Sequence, residues 1–299
     1  MKVNFKMTGE MEKYIKKCLS SGVTELHVVG EHIKKHSLEE SPNECCGVVL
    51  KNDDILVAER CTNISEKPSY HCLISGKELQ DKTDGRDLFS IYHSHLNDKE
   101  LSWEDKAVSE RLGVNIILYS VRDDCFDFYE PNGSIAPLEG RNWSWGIFSC
   151  RELAEDFYGK FLNVKFTGHR EMIFDLIPFA EGTDLMVAYF KSRQDDEEGA
   201  FFKEMVDKYK KTEIYLNFLK HNGFKEVKDL KKHDLILTKT WNEKWNEEFG
   251  IDYGIHSMIY LGDGKILHHP WKTKSKIEKF KTKYKQVITN ILRHENSRS

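Results

Sequence analysis

No stretch of this 299-residue chain approaches the ~18–20 consecutive apolar residues of a membrane-spanning helix. An apolar signal core is missing as well. The N-terminal MKVNFKMTGEMEKYIKKC reads as a charged, amphipathic segment, so synthesis and folding in a cytoplasm, with nothing driving export, is the expectation. A basic excess is also absent: 45 Lys plus Arg stand against 49 Asp plus Glu, a net charge of −4. That argues against a whole-protein nucleic-acid binder, because phosphate recognition draws on basic surface. Seven Cys, an odd number in a long chain, do not suit a disulfide framework. Reduced thiols are the default, most of them as small buried apolar residues.

What is present is an ordinary globular mix, 39% hydrophobic and 31% charged, with length for about two domains. Apolar spacing predicts a helix over 24–37 with Val28, Val29 and Ile33 on one side. CCGVVL (45–50) reads as a buried strand, and 53–60 as its hairpin partner. Leu88 to Tyr92 is a further strand that runs into His93-Ser94-His95. Ser102-Trp-Glu-Asp is an N-cap sequence. Strands at 113–121 and 125–130 complete a first half that mixes helices and strands around one sheet. The segment 131–141, with Pro131, Gly133, Pro137 and Gly140, reads as a linker. Beyond it come a helix over 150–162 with Leu153, Phe157 and Phe161 as its apolar stripe, a helix over 201–222, and strands at 234–238, 254–261 and 265–269. The last two flank the turn signal Gly262-Asp263-Gly264. The acidic run 195–198 reads as a loop or helix start. Seven Lys and one Glu between 272 and 285 read first as a solvated face, and second as a contact for an anionic partner.

Two groups of residues carry chemistry. His93 and His95 point the same way from a strand, since side chains alternate with period two. They can hold one metal ion, with Asp105 one turn into the next helix as third ligand. Three N/O ligands leave a fourth position for water, the layout of a catalytic zinc site. Glu44 would take the water's proton and pass it to a leaving amine, and Ser102 could donate to an oxyanion. In the second group, Cys150 stands at a helix N-terminus, where the dipole favours a thiolate. His256 would be its base and His268 would orient His256, if the hairpin register puts both on one face.

The order Glu44-Cys-Cys-Gly, His93-Ser-His95, Ser102-x-x-Asp105 resembles the JAMM/MPN-plus metalloprotease domain over roughly 24–130. The resemblance implies Glu44 as general base, His93, His95 and Asp105 as ligands of Zn2+, and Ser102 beside the oxyanion. Leu96 stands where that family often has Pro. Trp145-Gly-x-x-x-Cys150, His256-Ser-Met-Ile-Tyr-Leu-Gly-Asp-Gly and Ile-Leu-His268 resemble the NlpC-type cell-wall cysteine peptidases over about 141–270, with Ser149 and Ile255 where Asp and Asn are usual. An α+β chain in two domains is implied: a JAMM-like mixed sheet flanked by helices over 24–130, and a papain-like NlpC-type fold over 142–299, with 1–23 as a helical extension. The two motif sets together, with ITNILRH at 288–294, resemble the lambda-type tail assembly protein K family. That resemblance implies a hydrolase of a phage tail tip, made in the host cytoplasm and carried on the virion. Its partners would be peptidoglycan stem peptides and other tail-tip proteins, with no nucleic acid and no membrane span. A structural tail component with vestigial sites, and an isopeptidase acting on ubiquitin-like conjugates, stay open as alternatives.

Overall fold

The computed structural model describes residues 6–7, 26–52, 55–144, 147–166, 213–240 and 254–297. The chain divides into two compact units, Met1–Ala136 and Pro137–Ser299. Both combine helices with one sheet, so the protein is a two-domain α+β chain.

The first unit contains β1 (Lys6–Met7), α1 (Leu26–Glu40), β2 (Cys46–Asn52), β3 (Ile55–Cys61), α2 (Gly76–Thr83), β4 (Asp87–His95), α3 (Trp103–Leu112), β5 (Asn115–Ser120) and β6 (Cys125–Tyr129). Its sheet has the order β1-β6-β5-β4-β2-β3. β4 and β5 run parallel, as β1 and β6 do, and the other pairs are antiparallel. Period-two alternation sorts the core onto two faces. Val49, Tyr92, Ile117, Tyr119 and Phe126 pack under Val29 and Ile33 of α1. Val48 and Leu50 face the other way with Cys46 and Cys61, and Ile116 and Leu118 pack there with Leu101 and Val108. Val28, expected on the buried side of α1, is 53% exposed, because the helix turns it about 100° from Val29. Lys6–Met7 form a strand rather than the expected helix, since β6 offers them a parallel edge.

The segment 131–141, expected as a linker, is held down. Glu110 on α3 accepts hydrogen bonds from the backbone N–H groups of Asn132, Gly133 and Ser134 at 2.8–3.1 Å. Arg141, only 5% exposed, pairs with Asp156 at 2.6 Å.

The second unit contains α4 (Cys150–Leu162), α5 (Glu213–His221), β7 (Phe224–Glu226), β8 (Leu235–Thr240), β9 (Gly254–Gly262), β10 (Lys265–His268), β11 (Lys276–Lys279), α6 (Thr282–Lys285) and β12 (Ile288–His294). Its antiparallel sheet runs β11-β10-β9-β8-β12-β7. Leu153, Ala154, Phe157 and Tyr158 of α4 pack on Leu235, Leu237, Ile259, Leu267 and Leu292. Ile236, Met258 and Ile266 lie on the opposite face with Phe280 and Tyr284. Phe161 leaves the expected stripe and is 54% exposed. It comes one residue before the last helical position, and α4 ends at Asn163 in a left-handed turn. The expected loop at 195–198, and 201–212 of the expected helix, lie outside the described residues. The Lys-rich run folds as β11 and α6, with its lysines exposed and Glu278 and Tyr284 turned inward.

Candidate functional site

In the first unit the site grows from the β2–β4 ladder. Cys46 pairs with His93, and Ser94 N–H donates to the Cys45 carbonyl at 3.2 Å. Continuing that register sets Glu44 opposite His95, on the face that also carries His93. Ser94 points away and its Oγ accepts from the Cys45 N–H at 2.9 Å, which ties the two strands directly behind the site. A loop pins Glu44 from the other side. Its N–H donates to the Pro68 carbonyl at 2.7 Å, and its carbonyl accepts from Asn63 Nδ2 at 2.9 Å.

The third element is α3. Ser102 caps it with a full capping box: its Oγ accepts from the Asp105 N–H, and the Asp105 carboxylate accepts from the Ser102 N–H at 2.7 Å. Ser102 Oγ also donates to Asp105 Oδ2 at 2.7 Å. A hydroxyl has one hydrogen, so in this arrangement Ser102 holds Asp105 rather than offering a donor to an oxyanion.

Three candidate ligand side chains converge as a result. His93 Nε2 and His95 Nε2 are 3.1 Å apart. Asp105 Oδ1 lies 3.3 Å from His93 Nε2, and Oδ2 lies 3.5 Å from His95 Nε2. The two His–Asp distances end on different carboxylate oxygens, and one ligand atom from each residue lies within 4.8 Å of the others, so the donor set fits zinc in type. Among the described residues this is the group of His, Cys, Asp and Glu side chains arranged for a metal.

The electrostatics follow from burial. Burial raises the Glu44 carboxyl; neighbouring His93 opposes this, Asp105 and Asp98 add to it, and the result is about 7. Burial would also raise Asp105, but His93, His95 and Ser102 outweigh it and hold Asp105 below the usual carboxylate range. Burial pulls His93 down, yet Asp105 and Glu44 raise it overall. Burial and His93 together lower His95. A buried carboxyl titrating near neutrality beside three converged ligands can move a proton at working pH.

In the second unit, α4 starts at Cys150 because Ser149 is a full N-cap, with Glu152 accepting from the Ser149 N–H at 2.9 Å. This gives Ser149 a helix-starting role. Cys150 is half-buried. Burial pushes its thiol up against the hydrogen bonding of Ser257, and the Ser257 hydroxyl reaches the Cys150 carbonyl at 2.8 Å. Alternation along β9 turns His256 away from Ser257, and no hydrogen bond joins His256 to the Cys150 thiol. The register does bring the two histidines together. His268 pairs with Met258, so His256 and His268 share a face, with His256 Nε2 3.0 Å from His268 Nδ1. Gly262, Asp263 and Gly264, all at positive φ, close the hairpin that sets this register. His268 Nε2 is in turn 3.0 Å from Glu278 Oε1.

Ser257 and Glu278 were missed by sequence reasoning. Ser257 is marked only by adjacency to His256, and Glu278 only as the single acid in a lysine run.

The described residues define a two-domain α+β protein with a metal-type His-His-Asp cluster in one unit, and with a His-His-Glu chain and a cysteine at the first position of a capped helix in the other. Over part of its length the chain is similar to a phage tail tip assembly protein K. It is 28% identical over 127 residues to tail tip assembly protein K of Escherichia phage N15, a match that covers 42% of this chain and 52% of that protein. No family model matches the chain. The solution structure of a Desulfitobacterium hafniense protein aligns with 34% of this chain and 86% of its own, at 19% identity and a TM-score of 0.26. No helix among the described residues is long and apolar enough to cross a membrane.

Proposed function

We propose that this protein is a phage tail-tip component with a zinc-dependent peptidase site in its first unit and a cysteine-type cell-wall peptidase site in its second. The observation that carries the reading is the convergence of His93, His95 and Asp105 at 3.1–3.5 Å with Glu44 buried beside them. Bound there, zinc would lower the pKa of a coordinated water and polarise a peptide carbonyl. Glu44 would accept the water's proton and return it to the leaving amine. Ser102 would keep Asp105 in its ligand orientation.

The second site is supported by the position of Cys150 at a helix N-terminus next to β9 and by the contact between His256 and His268. Its chemistry requires the Cys150 thiol, which burial keeps protonated, to lose its proton to His256, while in this structure Ser257 rather than His256 is the β9 residue bonded to Cys150. The substrate class is the stem peptides of peptidoglycan, and the partners are other tail-tip proteins.

One preparation of the full chain tests both parts. Zinc content near one per chain that is lost in the His93→Ala, His95→Ala double variant supports the first site. Wall-peptide cleavage that is lost in Cys150→Ala supports the second. A folded protein that takes up no zinc and cleaves no wall peptide refutes both and leaves a structural tail part.

A further inference from the structure

Glu278 is the lone acid among the lysines of 272–285, yet it faces inward. Its Oε1 meets His268 Nε2 at 3.0 Å and accepts from the Tyr284 hydroxyl at 2.6 Å, while Oε2 accepts from Lys281 at 3.0 Å. We infer that Glu278 is a positioning residue that fixes the tautomers of His268 and His256, leaving Nδ1 of His256 as the base nitrogen; its catalytic meaning rests on the thiol-site reading above.

The inference follows from counting hydrogens. A carboxylate only accepts. Burial would raise Glu278, but hydrogen bonds from Tyr284 and Lys281, with Lys276 nearby, hold it down at about 2, so it is ionised. The His268 nitrogen facing it, Nε2, must therefore carry the hydrogen. His268 is 1% exposed, and burial lowers it to about 4 against the pull of Glu278. The ring is neutral and has one N–H, already assigned. Nδ1 of His268 is then a bare acceptor, and His256 Nε2, 3.0 Å away, must donate to it. Burial lowers His256 to about 3, so it too is neutral with one N–H. Its Nδ1 keeps the lone pair. With both rings neutral and the carboxylate ionised, any other assignment sets two lone pairs face to face. One anchored carboxylate thus sets the proton positions of two rings in series, as outer-shell acids set the tautomer of metal-ligating histidines.

The test is nitrogen-detected NMR of the histidine rings in full-length protein at neutral pH, with wall-peptide kinetics alongside. The wild type should show both ring hydrogens on Nε2 and none on Nδ1. Glu278→Leu should lose the hydrogen-bonded His268 signal, populate the second tautomer, and lower kcat about 10- to 100-fold with KM unchanged. Tyr284→Phe keeps the carboxylate and should keep the tautomers. A wild-type His268 with its hydrogen on Nδ1 overturns the inference, and so does Glu278→Leu with unchanged rings or unchanged kcat. The wild-type spectrum decides even if Glu278→Leu fails to fold. Wild-type tautomers as stated in a protein without wall-peptide cleavage support the proton assignment and remove the peptidase reading.

Discussion

Gly47 sits on β2 beside β4, the strand that carries the candidate ligands His93 and His95, and adding one methyl there should loosen the whole site. A Cβ at position 47 would lie 2.3 Å from the Glu59 carbonyl oxygen and 2.3–2.4 Å from two ring carbons of Tyr92. Ordinary carbon contacts fall near 3.5–4.0 Å, so something must move by more than about 1 Å. The Glu59 carbonyl belongs to β3, in full register with β2. Tyr92 is fully buried, and its hydroxyl is bonded to His36 Nδ1 at 2.9 Å. Moving the ring breaks that bond, and moving the carbonyl opens the ladder. Overpacking costs about 1–3 kcal/mol and an orphaned buried polar group costs about 1–3 kcal/mol. Together Gly47→Ala should lose about 2–6 kcal/mol. Hydrogen exchange of the β2 and β4 amides in the full chain reads this locally, as a rise of about 30-fold or more. Zinc affinity should fall with it, since Glu44 and His93 flank these strands. Adding Tyr92→Leu should recover part of the loss, a non-additivity expected of groups in contact. Exchange within about threefold of wild type would sink the reasoning.

Four further outcomes are expected. Zinc at about 100 times its Kd should stabilise the first unit by about 2.7 kcal/mol, raising its melting temperature by roughly 10 °C; the His93→Ala, His95→Ala variant should show no shift in the same scan. Ser102→Ala removes both the helix cap and the hold on Asp105, so calorimetry should show a loss of about 1 kcal/mol, and zinc titration a weaker site. His36 is lowered to about 4 by burial, with Arg60 adding to it. Its folded pKa lies below the unfolded value, so the unfolded chain binds the extra proton between about 6.5 and 4, and stability falls across that window as pH drops. His36→Gln should flatten this part of the exchange profile in β4. Burial raises the Cys150 thiol, so alkylation by iodoacetamide should be slow at neutral pH and quicken above pH 9; a neutral-pH rate matching free cysteine contradicts that environment.

Residue order alone determined a good deal. His-x-His on a strand sends two rings to one side by alternation, and Ser102-x-x-Asp105 is a capping box by its own spacing. Ser149 and Glu152 start α4 at Cys150 for the same local reason, and Gly262-Asp263-Gly264 closes a hairpin because these residues tolerate positive φ. These are interactions over two to four residues, where the backbone sets the geometry. The relation between distant segments was decided only by tertiary structure. Ladder register sets Glu44 opposite His95. The packing of α4 leaves Phe161 outside the core, and the alternation of β9 aims Ser257, not His256, at the start of that helix. Glu278 becomes the partner of His268 because β11 pairs with β10 and α6 brings Tyr284 and Lys281 onto the same carboxylate. Charge composition marks 272–285 as solvated, since seven lysines outweigh one acid. Burial of that one acid depends on which strand it pairs with, and no local pattern encodes that pairing.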